Sequence, residues 1–440
     1  MDHPLYARFN RIQTIAGAAG VRWLAQGAPP KTTSLPTPGS KSQWPNVSHR
    51  FVCIVPVANR NWLLSLLGSV CFLLNGSGAK TLEWKAFPPL PDPEGFAGMY
   101  AGATDHGLIA AGGHHFSNGI PWWDGGKKVW SDVIYTLEGP AGPWRVRGEK
   151  LPRPLGDGVG VGYRDGIICA GGGDATQAYH DVFSLRWTGD RLETSALPPL
   201  PSPCLKMGGA LVGDVFFLVG GRDHPNSTAA LHTFVALDLS RPEGQRHWVS
   251  LPAWPGPARM MPVVAASRDC LYVFGGIEIA TDDKGRPKNL APYLSDAYRY
   301  RLGGDGTAGR WEKLANLPRP VAGAPTPAWL PDEKTILILG GVDGAIEAIT
   351  DRSSVRALPD DILAYDIGAD KWTVDGRISS PMVPRVNAPT VPWQGGCVVI
   401  SGEHLPARRT NACTFIGLPG SLSDAGTELP HRYEDVPDKR

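Results

Sequence analysis

Short apolar runs of four or five residues recur along the chain at 107–111, 166–170, 215–219, 271–274, 335–339 and 397–400, each followed by a glycine-centred stop. Runs of this length, bounded by glycine and turn residues, predict buried β-strands rather than helices. The stops are Gly112-Gly113, Gly172-Gly173, Gly220-Gly221, Gly275-Gly276, Gly340-Gly341 and a degenerate Ser401-Gly402, spaced 48 to 65 residues apart. After each comes a polar loop and then a second strand with an aromatic inside it, usually opened by an acid. Examples are Asp132-Val-Ile-Tyr135, Asp181-Val-Phe183, Asp296-Ala-Tyr298 and Asp361-Ile-Leu-Ala-Tyr365. An outer strand with a tryptophan and a Leu-Pro turn follows in most repeats: Trp144 with Leu151-Pro152, Trp248 with Leu251-Pro252, and Trp311 with Leu317-Pro318.

A period near 50 residues with diglycine punctuation is the mark of an all-β, six-bladed kelch-type β-propeller. The last repeat runs out after Phe415 without a tryptophan strand, whereas Leu82-Glu-Trp84 and Phe87-Pro-Pro-Leu-Pro91 stand near the start with no strands before them. Residues 81–87 are therefore expected to complete blade six and close the ring, which removes two open sheet edges. The tryptophans, tyrosines and diglycines read as scaffold: aromatics fill the space between sheets, and glycine allows close backbone approach.

This assigns 80–418 to one propeller and 419–440 to a polar C-terminal tail. Residues 1–56 read as a disordered or non-native leader, and 57–79 as a signal peptide. In that segment Asn59-Arg60-Asn61 precedes an apolar stretch over 62–74 and small residues up to Ala79. The stretch is short for a membrane span, so the expectation is a periplasmic or secreted protein without a stable membrane anchor. The net charge of +1 gives no sign of a nucleic-acid partner. Of the 7 cysteines, Cys53 and Cys71 fall in the leader. The other five lack metal-type spacing and read as buried thiols. Cys397 and Cys413 are the two placed to face each other in blade six.

A propeller gathers the loops that follow the diglycines around one mouth, and long loops on a rigid scaffold carry function. The blade-six loop differs in kind: Ser401-Gly-Glu403-His-Leu-Pro-Ala-Arg408-Arg409-Thr410. A carboxylate can exchange protons, and a guanidinium can clamp an anion bidentately. From spacing alone, a structural Glu–Arg pair fixing the loop ranks first. Lys127 and Lys128 lie on the blade-one loop, where at least one is a ligand-contact candidate. Arg153, Arg259, Arg319 and Arg385 sit in turns leading into the next blade and offer a basic ring, with an ordinary turn role as the alternative. Glu278, Asp343 and Arg222 are candidate partners for sugar hydroxyls. His114-His115 suggests a metal pair, but adjacent strand residues face opposite ways, so no metal site is assigned.

The stretch Gly402-Glu403-x-x-Pro406-x-x-Arg409-Thr410 resembles the bacterial sialic-acid mutarotases, the N-acetylneuraminate epimerase family, whose motif has glycine where this chain has Ala407. The family's continuation, a Leu-x-Trp strand, a proline turn, a Gly-Phe-Ala-Gly run and a diglycine, stands here at the other end. It comprises Leu82-Glu-Trp84, Pro91-Asp-Pro93, Gly95-Phe-Ala-Gly98 and Gly112-Gly113. The chain thus looks like a cyclically permuted member. The loop Pro121-Trp-Trp-Asp-Gly-Gly126-Lys127-Lys128-Val-Trp130-Ser-Asp132 is similar as well.

The resemblance implies interconversion of the α and β anomers of N-acetylneuraminate by acid/base ring opening, with no cofactor. It implies Glu403 as the acid/base group and Arg409 as the group on the substrate carboxylate or the reacting oxygen. Arg408, Lys127, Lys128, Arg385 and Arg319 complete the expected substrate-binding set. Two readings compete with it. One is a non-enzymatic propeller that binds a glycan or protein. The other is a copper-radical oxidase, for which Tyr272 near Cys270 is a partial match without a histidine constellation.

Overall fold

In the computed structural model, residues 81–279, 292–303 and 309–422 are described. The chain divides into two units, Met1–Gly78 and Ala79–Arg440, and all described residues belong to the second. The expected leader and signal segments, Cys53 and Cys71, and the tail from 423 lie outside the described residues, as does much of the blade-four loop. Among the described residues no helix is long and apolar enough to cross a membrane.

The described chain forms six antiparallel four-stranded sheets, the blades of a propeller. Blade one carries strands Tyr100–Thr104, Gly107–Ala111, Val133–Leu137 and Arg145–Lys150 from the axis outwards. Blades two to five repeat the plan. Each second strand is nearly or wholly buried along its length, as in Val215–Val219, because neighbouring blades cover both of its faces. That explains an unbroken apolar run in place of alternation. The outermost strand of blade one alternates between half-buried and exposed positions.

Blade six is closed from the chain's other end. Glu83–Phe87 pairs with Cys413–Gly417, from Glu83 opposite Gly417 to Phe87 opposite Cys413. The closing strand stands where its sequence signature placed it. Six buried clusters fill the interfaces between neighbouring blades. The outer tryptophans staple one blade to the one before it. The indole N–H groups of Trp144, Trp248 and Trp311 donate to the carbonyls of Pro88, Pro198 and Pro252, each at 2.8 Å. All five described cysteines are free and buried. Cys397 lies opposite Ile416 and Cys413 opposite Ile400, so the two thiols do not face each other.

The glycine stops adopt the left-handed backbone that closes each second strand. In blade six, Ser401 takes the first position at φ 56°. In blade two the left-handed pair is Gly171-Gly172, one residue earlier than expected, since three consecutive glycines leave the register ambiguous in sequence. The buried Ser401 hydroxyl accepts from the Phe96 N–H at 2.7 Å and lies 2.8 Å from the Phe96 carbonyl, joining blade six to the segment that enters blade one. Ser401→Ala should leave that buried N–H unpaired and cost about 1–3 kcal/mol, read as a lower midpoint in urea unfolding.

A second ring lies on the axis. Six residues, one ahead of each innermost strand, all have left-handed backbone: Gly98, Asp157, Lys206, Met261, Gly323 and Asn387. Each N–H donates to the carbonyl of its predecessor: Asp157 to Gly98, Lys206 to Asp157, Met261 to Lys206, Gly323 to Met261, Asn387 to Gly323, and Gly98 to Asn387, at 2.6 to 3.0 Å. The hydrogen-bonded collar is cyclic. A narrow cavity of about 50 Å³ runs through it, lined by Asp157, Lys206, Met261, Thr326 and Asn387. That volume holds water but not a sugar.

Candidate active site

The residue after each left-handed pair bridges back to the residue before each collar position. Around the ring these residues are His114, Gly173, Arg222, Ile277, Val342 and Glu403. With the collar side chains they divide the mouth. Blades four and five contribute Ile277 and Val342, which pack with Met260, Ala322 and Val386 in an apolar arc. Blades six, one, two and three contribute the polar groups.

Glu403 and Arg409 stand directly opposite each other on a two-stranded ribbon, Glu403–Leu405 with Arg408–Arg409. The turn between them runs through Ala407, buried at φ 58°, where a residue with a side chain takes a conformation suited to glycine. Arg409 Nη1 lies 2.8 Å from Glu403 Oε2, with the Arg409 side chain only 5% exposed and that of Glu403 26% exposed. The Arg409 guanidinium sits over the Phe116 ring at 4.8 Å. Its Nε and Nη1 are buried without an aligned acceptor among the described residues, so the carboxylate contact is an ion pair with the donors pointed elsewhere.

A second ribbon, His114–Phe116 with Lys128–Trp130, brings blade one into the cluster. Arg409 Nη2 approaches His114 Nδ1 at 3.4 Å. On the far side of the ring, His114 Nε2 lies 3.2 Å from Asp157 Oδ1, and both residues are buried. Asn387 Nδ2 donates to the same Asp157 oxygen at 2.6 Å. Burial, with Lys128 and Arg409 nearby, lowers His114 to about 3 against the pull of Asp157, so its ring is neutral at pH 7. Burial pushes the Asp157 carboxyl up, but Lys206, His114 and Lys128 together hold it well below the usual range. The half-buried Lys128 falls to about 7, mainly through burial and with Lys206 and Arg409 adding to it, against the pull of Asp157 and Glu403.

The site residues expected from sequence separate into two groups. Glu403, Arg409 and Lys128 come together in the mouth. Lys127 and Arg408 are exposed. Arg319 is tied to both oxygens of Asp361 and to the Gly340 carbonyl. Arg259 grips Asp296 bidentately at 2.7 and 2.8 Å, and Arg153 pairs with Asp181 at 3.0 Å. These arginines lock the acid that opens the third strand, which is the ordinary turn role. Arg385 has no such acid, because Ala412 stands at that place in blade six. It is buried and donates to the Ser401 and Val383 carbonyls at 3.1 and 2.8 Å. Burial lowers it to about 10.

His114 and His115 diverge as strand neighbours should. His115 turns to the Phe116 carbonyl and the Phe96 ring, and His114 turns to Asp157. Setting the pair aside as a metal site left His114 without a role in the sequence reading. Asp157, Lys206 and Asn387 were missed as well, and the signal for them was their common place two or three residues ahead of an innermost strand.

No family model matches the chain. A curated protein named N-acetylneuraminate epimerase from Haemophilus influenzae (strain 86-028NP) is 29% identical over 237 residues, which is 48% of this chain and 57% of that protein. Another of the same name, from Haemophilus influenzae (strain PittEE), is 32% identical over 128 residues, 26% of this chain and 33% of its own. One from Brucella suis is 36% identical over 117 residues, covering 24% and 29%.

The chain is similar to N-acetylneuraminate epimerases.

The matched stretches span between 29% and 57% of those relatives' length. The solved structure titled "Structure of YjhT" superposes with a TM-score of 0.54 at 14% identity, over 76% of this chain and 97% of that one. At that identity the likeness establishes the shared propeller fold.

The state of His114 has a consequence for stability. Its folded value of about 3 lies below the ordinary 6.5. The unfolded chain therefore binds more protons between those pH values, and stability rises with pH across the window. Acidification from pH 6.5 to 4.5 should lower the unfolding free energy by up to about 1.4 kcal/mol per pH unit from this group. His114→Asn should flatten that slope in urea titrations run at each pH.

Proposed function

We propose that the chain interconverts the α and β anomers of N-acetylneuraminate. The observation that carries this reading is the Glu403–Arg409 pair: a part-exposed carboxylate beside a buried guanidinium whose Nε and Nη1 donors have no aligned partner among the described residues. The reachable member of the pair is the Glu403 carboxylate, 26% exposed, which can exchange a proton with a hydroxyl of a bound sugar acid while the buried guanidinium holds it in place. The similarity to proteins named N-acetylneuraminate epimerase supports the choice of sugar.

The surrounding charge also favours an anion. Arg409, Lys128, Lys206 and Arg222 outnumber Glu403 and Asp157, and His114 adds no charge while neutral. Such an excess draws a carboxylate to the mouth. The apolar arc of Ile277 and Val342 offers the opposite wall to the carbon face of the ligand.

Opening a pyranose hemiketal breaks one carbon–oxygen bond and moves two protons, with no change of oxidation state. Glu403 takes the proton of the anomeric hydroxyl while the ring carbon–oxygen bond breaks. The protonated Lys128 gives a proton to the departing ring oxygen. The open-chain keto acid rotates and recloses with the proton transfers reversed, giving the other anomer. The reading requires no cofactor. We also place the protein in the periplasm or outside the cell, on the secretory pattern of residues 57–79.

Anomer exchange of N-acetylneuraminate, followed by proton NMR with the full chain, tests the reading. Wild type should exceed the spontaneous rate, and Glu403→Gln should lose at least about 100-fold of the enzymatic rate. Arg409→Lys should raise KM about tenfold, because a point charge replaces a planar fork. No acceleration by wild type at high protein concentration would reject the enzyme and leave a sugar-binding propeller.

Lys128 gives a separate check through pH. As the donor it must be protonated, so the exchange rate should fall as pH rises through about 7. Lys128→Met should be slower and should lack that alkaline limb in the pH–rate profile.

A further inference from the structure

The carboxylate and guanidinium of the mouth are backed by a second pair that the chemistry above does not use. We infer that Asp157 and His114 form a positioning relay, in which Asp157 fixes the imidazole so that its bare Nδ1 accepts from Arg409 and aims the guanidinium at the substrate. The inference deepens the proposed mutarotase site and names two further residues for it.

The argument starts from what each partner can do. A guanidinium has five N–H donors and no acceptor. The ring nitrogen facing Arg409 Nη2 at 3.4 Å must therefore present a lone pair, which puts the proton of a neutral imidazole on Nε2. Nε2 faces Asp157 Oδ1 at 3.2 Å, and a carboxylate can accept that N–H. Both contacts thus demand the same tautomer. The charged groups around the ring are Lys128, Asp157 and Arg409. The two cations oppose imidazolium formation, and the single carboxylate is shared with Lys206, Lys128 and Asn387.

Asp157 is itself held from behind. It belongs to the axial collar, where its N–H donates to the Gly98 carbonyl at 2.8 Å and its carbonyl accepts from Lys206 at 2.6 Å. Gly98 leaves the carboxylate its place: a β-carbon there would come within 2.5 Å of Asp157 Oδ1. Asn387, two collar positions away through Gly98, clamps the same oxygen. The chain of contacts runs from the collar through Asp157 and His114 to Arg409 and ends on Glu403. It gives the ribbon that carries Arg409 an anchor on the rigid axis. His114 is itself buried, so in this relay it acts through Arg409.

The tautomer is measurable without substrate. Long-range proton–nitrogen NMR spectra of the full chain labelled with ¹⁵N-histidine, assigned with His114→Asn, should show His114 neutral with its proton on Nε2 at pH 6. A proton on Nδ1, or an imidazolium at that pH, would overturn the relay. This readout stands whether or not the protein is a mutarotase.

Kinetics supply the second test. Asparagine keeps an acceptor near the position of Nδ1, whereas leucine fills the space better but offers none. His114→Leu should lose about tenfold in kcat/KM for anomer exchange, and His114→Asn should recover to within about threefold of wild type. A role in packing alone predicts the reverse order. Leucine equal to or better than asparagine, with wild type active, would therefore sink the proposal.

Discussion

The cyclic collar is the constraint on which the other features depend. Six backbone N–H groups each donate to the preceding blade, and the sixth bond returns to the first. Such a ring forms only if every contributing residue adopts left-handed backbone, which costs roughly 1–2 kcal/mol for residues other than glycine. Gly98 and Gly323 meet the requirement freely, and Asp157 and Asn387 are residue types that tolerate it. Lys206 and Met261 do not tolerate it well, yet hold φ 57° and 52°. The interblade clusters on either side over-determine their conformation. The collar sets the radius of the mouth and therefore the distances among groups that come from different blades.

That geometry explains how distant residues share one site. Glu403 and Arg409 come from the loop of blade six, His114 and Lys128 from blade one, and Asp157 from the entry to blade two. Each group is placed by a short element: a two-residue ribbon strand, a three-residue ribbon strand, or a single collar position. Short elements on a rigid base have little freedom to wander, which is how such a site keeps its spacing. The closing strand Glu83–Phe87 matters for the same reason. Without it, Cys413–Gly417 would be an edge strand paired on one side only, and the ribbon between Ser401 and Cys413 would hang from that edge.

Much of the fold was legible in the chain. The apolar runs and glycine stops gave blade count, strand positions and the closing strand, because each blade must bury its second strand on both faces. The register of the glycines in blade two was not legible, since nothing local distinguishes three consecutive glycines. The site was legible only in part. Glu403 and Arg409 stood out because their loop broke the repeat, and Lys128 because of its neighbours. Asp157, Lys206 and Asn387 lie in segments that look like ordinary entries to a strand. Their role comes from the ring that brings together residues some 230 positions apart, as for Asn387 and Asp157. Local pattern carries no record of that closure. His114 was hidden differently: its pairing with a neighbouring histidine drew attention to metal binding, while its actual partners come from two other blades.

The arginines show what separates scaffold from site when residue type does not. Arg259 and Arg319 spend their donors on a carboxylate and a strand carbonyl within their own blades, and Arg153 pairs with an acid of its own blade. Each closes its blade, and a ligand could gain their donors only by breaking the fold. Arg385, lacking the acid, still settles on two carbonyls. Arg409 is nearly as buried as Arg259 and Arg385, but its carboxylate partner is out of line and its Nε and Nη1 have no aligned acceptor among the described residues. A buried guanidinium in that state costs free energy which the folded chain alone does not recover. What the guanidinium does instead is hold Glu403 beside it, and that carboxylate is 26% exposed, so the pair presents a proton-exchanging group at the mouth.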